Sequence, residues 1–313
     1  MYLSIVIPAY NEVQNIPRIV DELLCQISGI TVISRSEIII CDDHSIDDTF
    51  QAVKELKVPN LKCVRLSRRS GSHVAIRAGL SVAQGDAVLC LSADGQDDPA
   101  ALPKMIQKIK AGKQIVWGVR SSRNEPFFKK QFARLFYKLL NLFFTKEKNI
   151  DLANADFYLL DRKVVDALNS CPERNTSLFG LIAWIGFKQD AVEYQRRERA
   201  IGKSKWNFKS KMRLVFDWII AFSGLPLKLI SVFGIIIAFS GFLYALLIIY
   251  LSLSGRTTPG FAETVILVLL LGGIQMIMIG VIGEYLWRTL DESRKRPVFF
   301  IEETSDEDKN KLP

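Results

Sequence analysis

"LCLSADGQDDPAAL", residues 89–102, is the stretch from which the rest of the chain can be read. An apolar run from Val88 to Leu91 stops abruptly at Ser92-Ala93-Asp94-Gly95-Gln96-Asp97-Asp98-Pro99. A run of that length closed by turn residues reads as a buried strand ending in a polar loop. Three carboxylates and an amide fall within five positions, 94–98. They form either a solvated turn or a site for positive charge. Asp97 and Asp98 stand just before Pro99 and can equally open the next helix. Hard oxygen donors with no histidine beside them suit Mg²⁺ or Mn²⁺, ions usually held together with a substrate phosphate.

The same pattern recurs outward from this stretch. "LSIVI", "SEIIICDD", "LKCVRLS", "DAVLCLSAD" and "QIVWGVR" predict five strands. Helical spacing over 16–27, 47–56, 74–83 and 102–110 separates them. Strands alternating with helices predict an α/β fold with a mostly parallel, Rossmann-like sheet. Such sheets bind ligands beyond the carboxyl ends of their strands. Four polar clusters fall at those ends: 8–12 (PAYNE), 42–45 (DDHS), 92–96 (SADGQ) and 118–120 (GVR). One cluster is a turn; four at one sheet edge predict a site. Neither a dinucleotide-type glycine fingerprint nor a phosphate-binding P-loop is present. Only two histidines occur, His44 and His73, which argues against zinc. His73, just after Gly71-Ser72, fits either a nucleotide contact or a helix cap.

The last third is different. No charged side chain occurs from Leu229 to Gly255 or from Thr264 to Gly283. Each run exceeds the roughly 20 helical residues that cross a hydrocarbon core. The net charge is +8, and its placement is informative. Lys203, Lys205, Lys209, Lys211, Arg213 and Lys228 precede the first run; Arg288, Arg294, Lys295 and Arg296 follow the second; the connecting loop carries only Arg256. This asymmetry predicts two transmembrane helices with both flanks cytoplasmic. It assigns the basic residues to an anionic membrane surface rather than to nucleic acid, for which no binding module is recognisable. The predicted organisation is a cytoplasmic domain over 1–205, juxtamembrane interfacial helices over 206–228, two spans within 229–287 and a charged cytoplasmic tail over 288–313. A basic amphipathic helix over 126–144 suits either the sheet or a membrane surface. Five cysteines without C-x-x-C spacing predict free, mostly buried thiols in a reducing compartment. The start of the chain has no basic segment and too short an apolar run for a signal peptide.

"SIVIPAYNE", "IIICDDHSIDDT", "SADGQDDP" and "WGVRSSR", in that order, resemble glycosyltransferase family 2. The likeness is greatest to its polyprenyl-phosphate branch, which includes the dolichyl-phosphate mannose synthases and the bactoprenol-phosphate glucosyltransferases. It continues through "NADFYLLDRKVVDAL", "RRERAIGKSKW" and "GEYLWRTLDESRKRPVF", nearly to the end of the chain. The resemblance implies a GT-A fold, with Pro8, Tyr10, Glu12, Asp43 and Ala93 around the nucleotide and Asp42 as a structural neighbour. It implies that Asp94 and Gln96 hold Mg²⁺ or Mn²⁺. Asp156 matches an aspartate beside the reaction centre, as base or as orienting group. The chain departs from the family pattern at Ser92, where an acidic residue is usual, and at Gly95 and Asp98, where Leu and Pro are common.

The implied reaction moves a sugar, with inversion, from a nucleotide sugar (a UDP-sugar in the first instance) to undecaprenyl or a similar polyprenyl phosphate at the inner face of a bacterial plasma membrane. Arg120 supplies fixed positive charge to the leaving diphosphate. Arg199 and Lys205, with Arg134, are the candidates for the acceptor phosphate. A phosphate monoester is mostly dianionic at neutral pH, so it needs cations beside it more than it needs a base. Two other readings share these features. One is a polysaccharide synthase with a hydroxyl acceptor, although the Q-x-x-R-W spacing is missing from "QRRER". The other is a catalytically silent, nucleotide-sugar-binding membrane scaffold, which Ser92 favours. The sequence is compatible with a homo-oligomer and sets no stoichiometry.

Overall fold

The computed structural model describes residues 1–121, 155–174, 176–197, 225–255 and 260–305. Eight strands form one sheet: β1 (Tyr2–Ala9), β2 (Arg35–Asp42), β3 (Leu61–Leu66), β4 (Ala87–Cys90), β5 (Ile115–Arg120), β6 (Ala155–Asp161), β7 (Gln189–Tyr194) and β8 (Ile301–Thr304), in the spatial order β7-β5-β6-β4-β1-β2-β3-β8. The pairs β1/β2, β1/β4, β2/β3 and β5/β7 are parallel. Helices α1 (Ile16–Ser28), α2 (Thr49–Glu55), α3 (Ser72–Val82) and α4 (Leu102–Lys110) connect the early strands, followed by α5 (Arg162–Asn169) and α6 (Leu178–Trp184).

The central strands are apolar on both faces because helices cover both. Ile5, Ile7, Ile39, Ile40, Leu89 and Val116 are almost wholly buried, the pattern expected of a sheet sandwiched between helical layers. α1 buries Ile16, Ile19, Val20, Leu23 and Ile27, one stripe at helical spacing, and Pro17 sits in its first turn where no amide partner is lost. α3 approaches the sheet at Gly79, where a Cβ would collide with Val6 Cγ1 and lie 2.6 Å from Cys41 Sγ.

The chain then departs from simple alternation. β6 enters between β4 and β5 and runs antiparallel to both. Its first residues, Ala155 and Asp156, therefore lie at the edge where β4 and β5 end. The tail also differs from the charged end expected over 288–313. Residues 301–304 form β8, antiparallel to β3, with Ser67 N–H donating to Phe300 O (2.9 Å) and Ser305 N–H to Cys63 O (2.9 Å). Residues 297–313 accordingly group with 1–207 as one unit, and 208–296 form a second.

In that second unit, α7 (Leu225–Leu253) and α8 (Phe261–Ser293) contain stretches long and apolar enough to cross a membrane, Leu229–Leu251 and Leu270–Ser293. Neither stretch is buried against protein. Phe233, Ile235, Phe239, Met276 and Ile277 are each at least 60% exposed, a larger apolar surface than soluble monomers usually leave uncovered. Cys41, Cys63 and Cys90 are buried free thiols as expected, and burial pushes all three up in pKa; Cys25 is exposed and Cys171 half-buried. The basic helix expected over 126–144, and most of 206–228, lie outside the described residues.

Candidate active site

The loops after β1 and β2 are tied into one platform. Asn11, in the left-handed region at φ 54°, donates its N–H to Ser45 Oγ (3.0 Å) and accepts from Ile46 N–H through Oδ1 (3.0 Å). Glu12 N–H donates to Thr49 Oγ1 (3.0 Å), and the Glu12 carboxylate accepts from Asn15 Nδ2 (2.6 Å). Pro8 and Tyr10 are half-buried at the end of β1, and the Arg69 guanidinium lies 4.1 Å from the Tyr10 ring centroid. Asp42 is fully buried; it accepts from Ser45 N–H (2.9 Å) and faces Arg65 Nη1 at 3.4 Å. That is the structural role expected of it. Asp43 spends both carboxylate oxygens on the 70–71 loop, accepting from Ser70 N–H (2.6 Å) and Gly71 N–H (2.8 Å). Burial raises its pKa, and those two amides oppose the rise. Asp43 thus shapes this rim of the sheet edge by holding backbone.

The loop after β4 is an ordered acidic turn. The strand itself ends at Cys90 rather than continuing to Asp94. Ser92 N–H donates to Asp97 Oδ2 (2.7 Å), Ser92 Oγ–H to Asp94 Oδ1 (2.7 Å), and Gln96 N–H to the same Asp94 oxygen (3.1 Å). Gly95 takes φ 71°, a left-handed conformation that favours glycine over the family's common Leu, and a Cβ there would displace the end of the Arg18 side chain. Ala93 is buried within it. Asp98 caps the 3₁₀ turn Pro99–Ala101 by accepting from Ala100 N–H (3.0 Å), as a helix-opening residue should. Asp97 does not share that role. It is buried beneath the turn, and burial pushes its carboxyl up to about 6, opposed by the Ser92 bonds and reinforced by Asp156 and Asp94.

Asp156 arrives at this edge on β6. Its Oδ2 accepts from Tyr194 Oη–H at 2.5 Å, and Tyr194 closes β7 opposite Arg120 at the end of β5. Burial, then the Asp156 bond, raises the Tyr194 pKa, so the phenol stays a donor at neutral pH. Asp94, Asp97, Asp156 and Arg120 are therefore gathered at one sheet edge from residues more than 60 positions apart.

Two arginines that the sequence reading did not assign to the site also meet the acidic turn. Arg197 bridges Glu22 of α1 and Asp98 (2.7 Å to Oδ1), and its N–H donates to Gln96 O (3.1 Å). Arg196 Nη2 donates to Gln96 Oε1 at 2.7 Å. The only sequence signal was the basic run "RRER" following a strand. Arg134, Arg199 and Lys205 lie outside the described residues. His73 is a fold residue: its Nδ1 accepts from Leu178 N–H (3.1 Å) at the start of α6, and burial lowers its pKa to about 4, keeping that acceptor neutral.

Among the described residues no three His, Cys, Asp or Glu side chains gather as a metal cage. The turn nevertheless fits a divalent ion of the kind that borrows ligands from a phosphate. It offers the Asp94 carboxylate and the Ser92 hydroxyl beside it, both hard oxygens. Gln96 fits less well, because its side-chain oxygen already accepts from a guanidinium.

Comparison with known proteins identifies the family. The Glycosyl transferase family 2 profile matches residues 4–167. An uncharacterised glycosyltransferase of Bacillus subtilis strain 168 is 37% identical over 96% of this chain and 93% of its own length. The bactoprenol glucosyl transferase of Shigella phage SfV is 36% identical over 96% and 98% respectively. Among solved structures, glucosyl-3-phosphoglycerate synthase from Mycobacterium tuberculosis, crystallised with Mn²⁺, UDP-glucose and phosphoglyceric acid, is similar with a TM-score of 0.50 at 15% identity, over 70% of this chain and 78% of that one.

Proposed function

The chain belongs to glycosyl transferase family 2, and from that premise we propose that this glycosyltransferase moves a sugar from a UDP-sugar to a polyprenyl phosphate, with inversion, at the cytoplasmic face of a bacterial membrane. The observation that carries the reading is one chain holding both an acidic site at the carboxyl edge of a GT-A sheet and two unburied apolar helices. The near full-length likeness to a protein named for bactoprenol supports the lipid acceptor.

The chemistry follows from charge. An oxygen of the acceptor phosphate attacks the anomeric carbon, and the bond from that carbon to the donor's diphosphate breaks, its electron pair leaving with the nucleoside diphosphate. The acceptor is already an anion, so no proton must be removed first. Asp156, fixed by Tyr194, then orients the sugar rather than acting as a base. Arg120 balances charge on the leaving group, while Arg199, Lys205 and Arg134 pair with the acceptor phosphate. Asp94, with Ser92 beside it, holds Mg²⁺ or Mn²⁺, and such an ion supplies charge neutralisation on the diphosphate. The Mn²⁺ in the similar mycobacterial synthase supports that assignment.

The test is incubation of the purified full chain with undecaprenyl phosphate and a panel of UDP- and GDP-sugars, followed by mass spectrometry of the lipid. A glycosylated lipid phosphate is expected from one UDP-sugar, lost with EDTA and restored by Mg²⁺ or Mn²⁺. Asp94→Asn is expected to lose at least tenfold in rate while melting normally. Glycosylation of a free oligosaccharide hydroxyl in preference to the lipid would overturn the acceptor. Absence of any turnover with intact donor binding would favour the scaffold reading.

A further inference from the structure

The C-terminal strand contacts more than the sheet edge. From β8, Glu302 Oε2 lies 3.1 Å from Arg65 Nε and 3.3 Å from His44 Nδ1. Arg65 continues inward: Nη2 donates to Ser45 O at 3.2 Å, and Nη1 lies 3.4 Å from the buried carboxylate of Asp42. His44 Nδ1 also lies 3.1 Å from Leu66 O. With acceptors on both sides, that nitrogen must carry the hydrogen, which fixes the tautomer. Glu302 therefore grips the turn 42–45 at two points, one side chain directly and one through Arg65. The turn needs such support. His44 is held in the left-handed region at φ 56°, where a non-glycine residue persists only if its surroundings hold it. Asp43 lies between the two grips and carries the 70–71 loop on its carboxylate.

The adjacent Glu303 provides a natural contrast. It pairs with Lys54 on α2 at 2.5 Å and is similarly exposed, yet no bond from it reaches the 42–45 turn. Two neighbouring carboxylates of one strand thus hold it to two different elements, Glu302 to the 42–45 turn and Glu303 to Lys54 in the last turn of α2.

We propose that Glu302 is a positioning residue for donor binding: the strand that follows the second apolar helix sets, through His44 and Arg65, the turn that shapes the nucleotide pocket. This rests on the nucleotide-sugar reading above. Nothing in the sequence links position 302 to position 43; Arg65 and Glu302 stand 237 positions apart and meet where β8 pairs with β3.

The experiment compares Glu302→Ala with Glu303→Ala in the full chain in detergent, together with Glu302→Gln, which keeps an acceptor for Arg65. UDP binding with Mn²⁺ is measured by calorimetry, KM for undecaprenyl phosphate by initial rates, and amide exchange over 43–46 by mass spectrometry. Glu302→Ala is expected to weaken UDP about three- to fivefold, the size that a half-exposed ion-pair network supports. It should speed exchange over 43–46 and leave the KM for the lipid unchanged. Glu302→Gln should recover part of the loss, and Glu303→Ala should match wild type in all three. If the two alanine variants behave alike, β8 merely covers an edge and the proposal fails while the nucleotide reading stands. If the wild type binds no UDP, the nucleotide reading fails, and with it the assignment of Glu302 to donor binding.

Discussion

Asp97 shows how much a single carboxyl can carry in this site. It lies buried under the turn that presents Asp94, with one oxygen on Ser92 N–H. Its folded pKa of about 6 stands above the roughly 3.9 of an unfolded aspartate. The folded state therefore holds a proton that the unfolded chain has released. Its stabilising contribution is complete below about pH 4 and is lost as the pH rises through about 6. An amide at this position keeps the acceptor for Ser92 and removes the charge. Asp97→Asn is expected to melt higher than wild type at pH 7.5, by about 1–3 kcal/mol of stability, with the gain shrinking toward pH 4. Melting curves at several pH values check the sign. A gain that grows toward low pH would show that Asp97 is ionised and paired in the folded protein.

The elements reach the site because they pack closely enough to leave no slack. α3 lies against β1 and β2 with Gly79 at the contact, where Val6 and Cys41 already occupy the space a methyl group would take. The same helix begins at the Gly71 loop that Asp43 holds and carries His73, the acceptor for α6. Gly79→Ala is expected to cost about 1–3 kcal/mol through overpacking, even though alanine is the better helix former. A helix pushed off the sheet should also disturb the Asp43 contacts at its N-terminal end. Thermal melting and UDP calorimetry on the same preparation test both effects. A variant as stable as wild type would mean that α3 shifts without cost.

At the scale of the whole molecule, the chain leaves the α/β unit, passes through two long apolar helices and returns to the same sheet as β8. A chain that starts and ends in one folded unit must cross a bilayer an even number of times. The charge asymmetry is the ground on which we propose that this unit lies inside and the loop bearing Arg256 outside. The exposed native thiol of Cys25 is an internal reference for this topology. In intact cells an impermeant maleimide is expected to leave wild type unlabelled and to label Ser254→Cys, just beyond α7. Permeabilised cells should show Cys25 labelled as well. Labelling of Cys25 in intact cells would invert the orientation.

Much of this was open to reading before any coordinates. The early βαβ alternation, the carboxyl-end clusters around Asp43 and Asp94, and the two uncharged runs are local patterns, each complete within about 30 residues, so periodicity and punctuation suffice to place them. What the sequence by itself could not determine is what depends on pairing across the chain. The direction of β6 brings Asp156 to the site, because an antiparallel strand begins where its parallel neighbours end, and a strand's side-chain period is the same in either direction. The docking of Arg196 and Arg197 on the acidic turn, the acceptor role of His73 and the return of β8 likewise join residues from about 100 to more than 230 positions apart. Those contacts exist only once the sheet is assembled, and tertiary packing alone decided them.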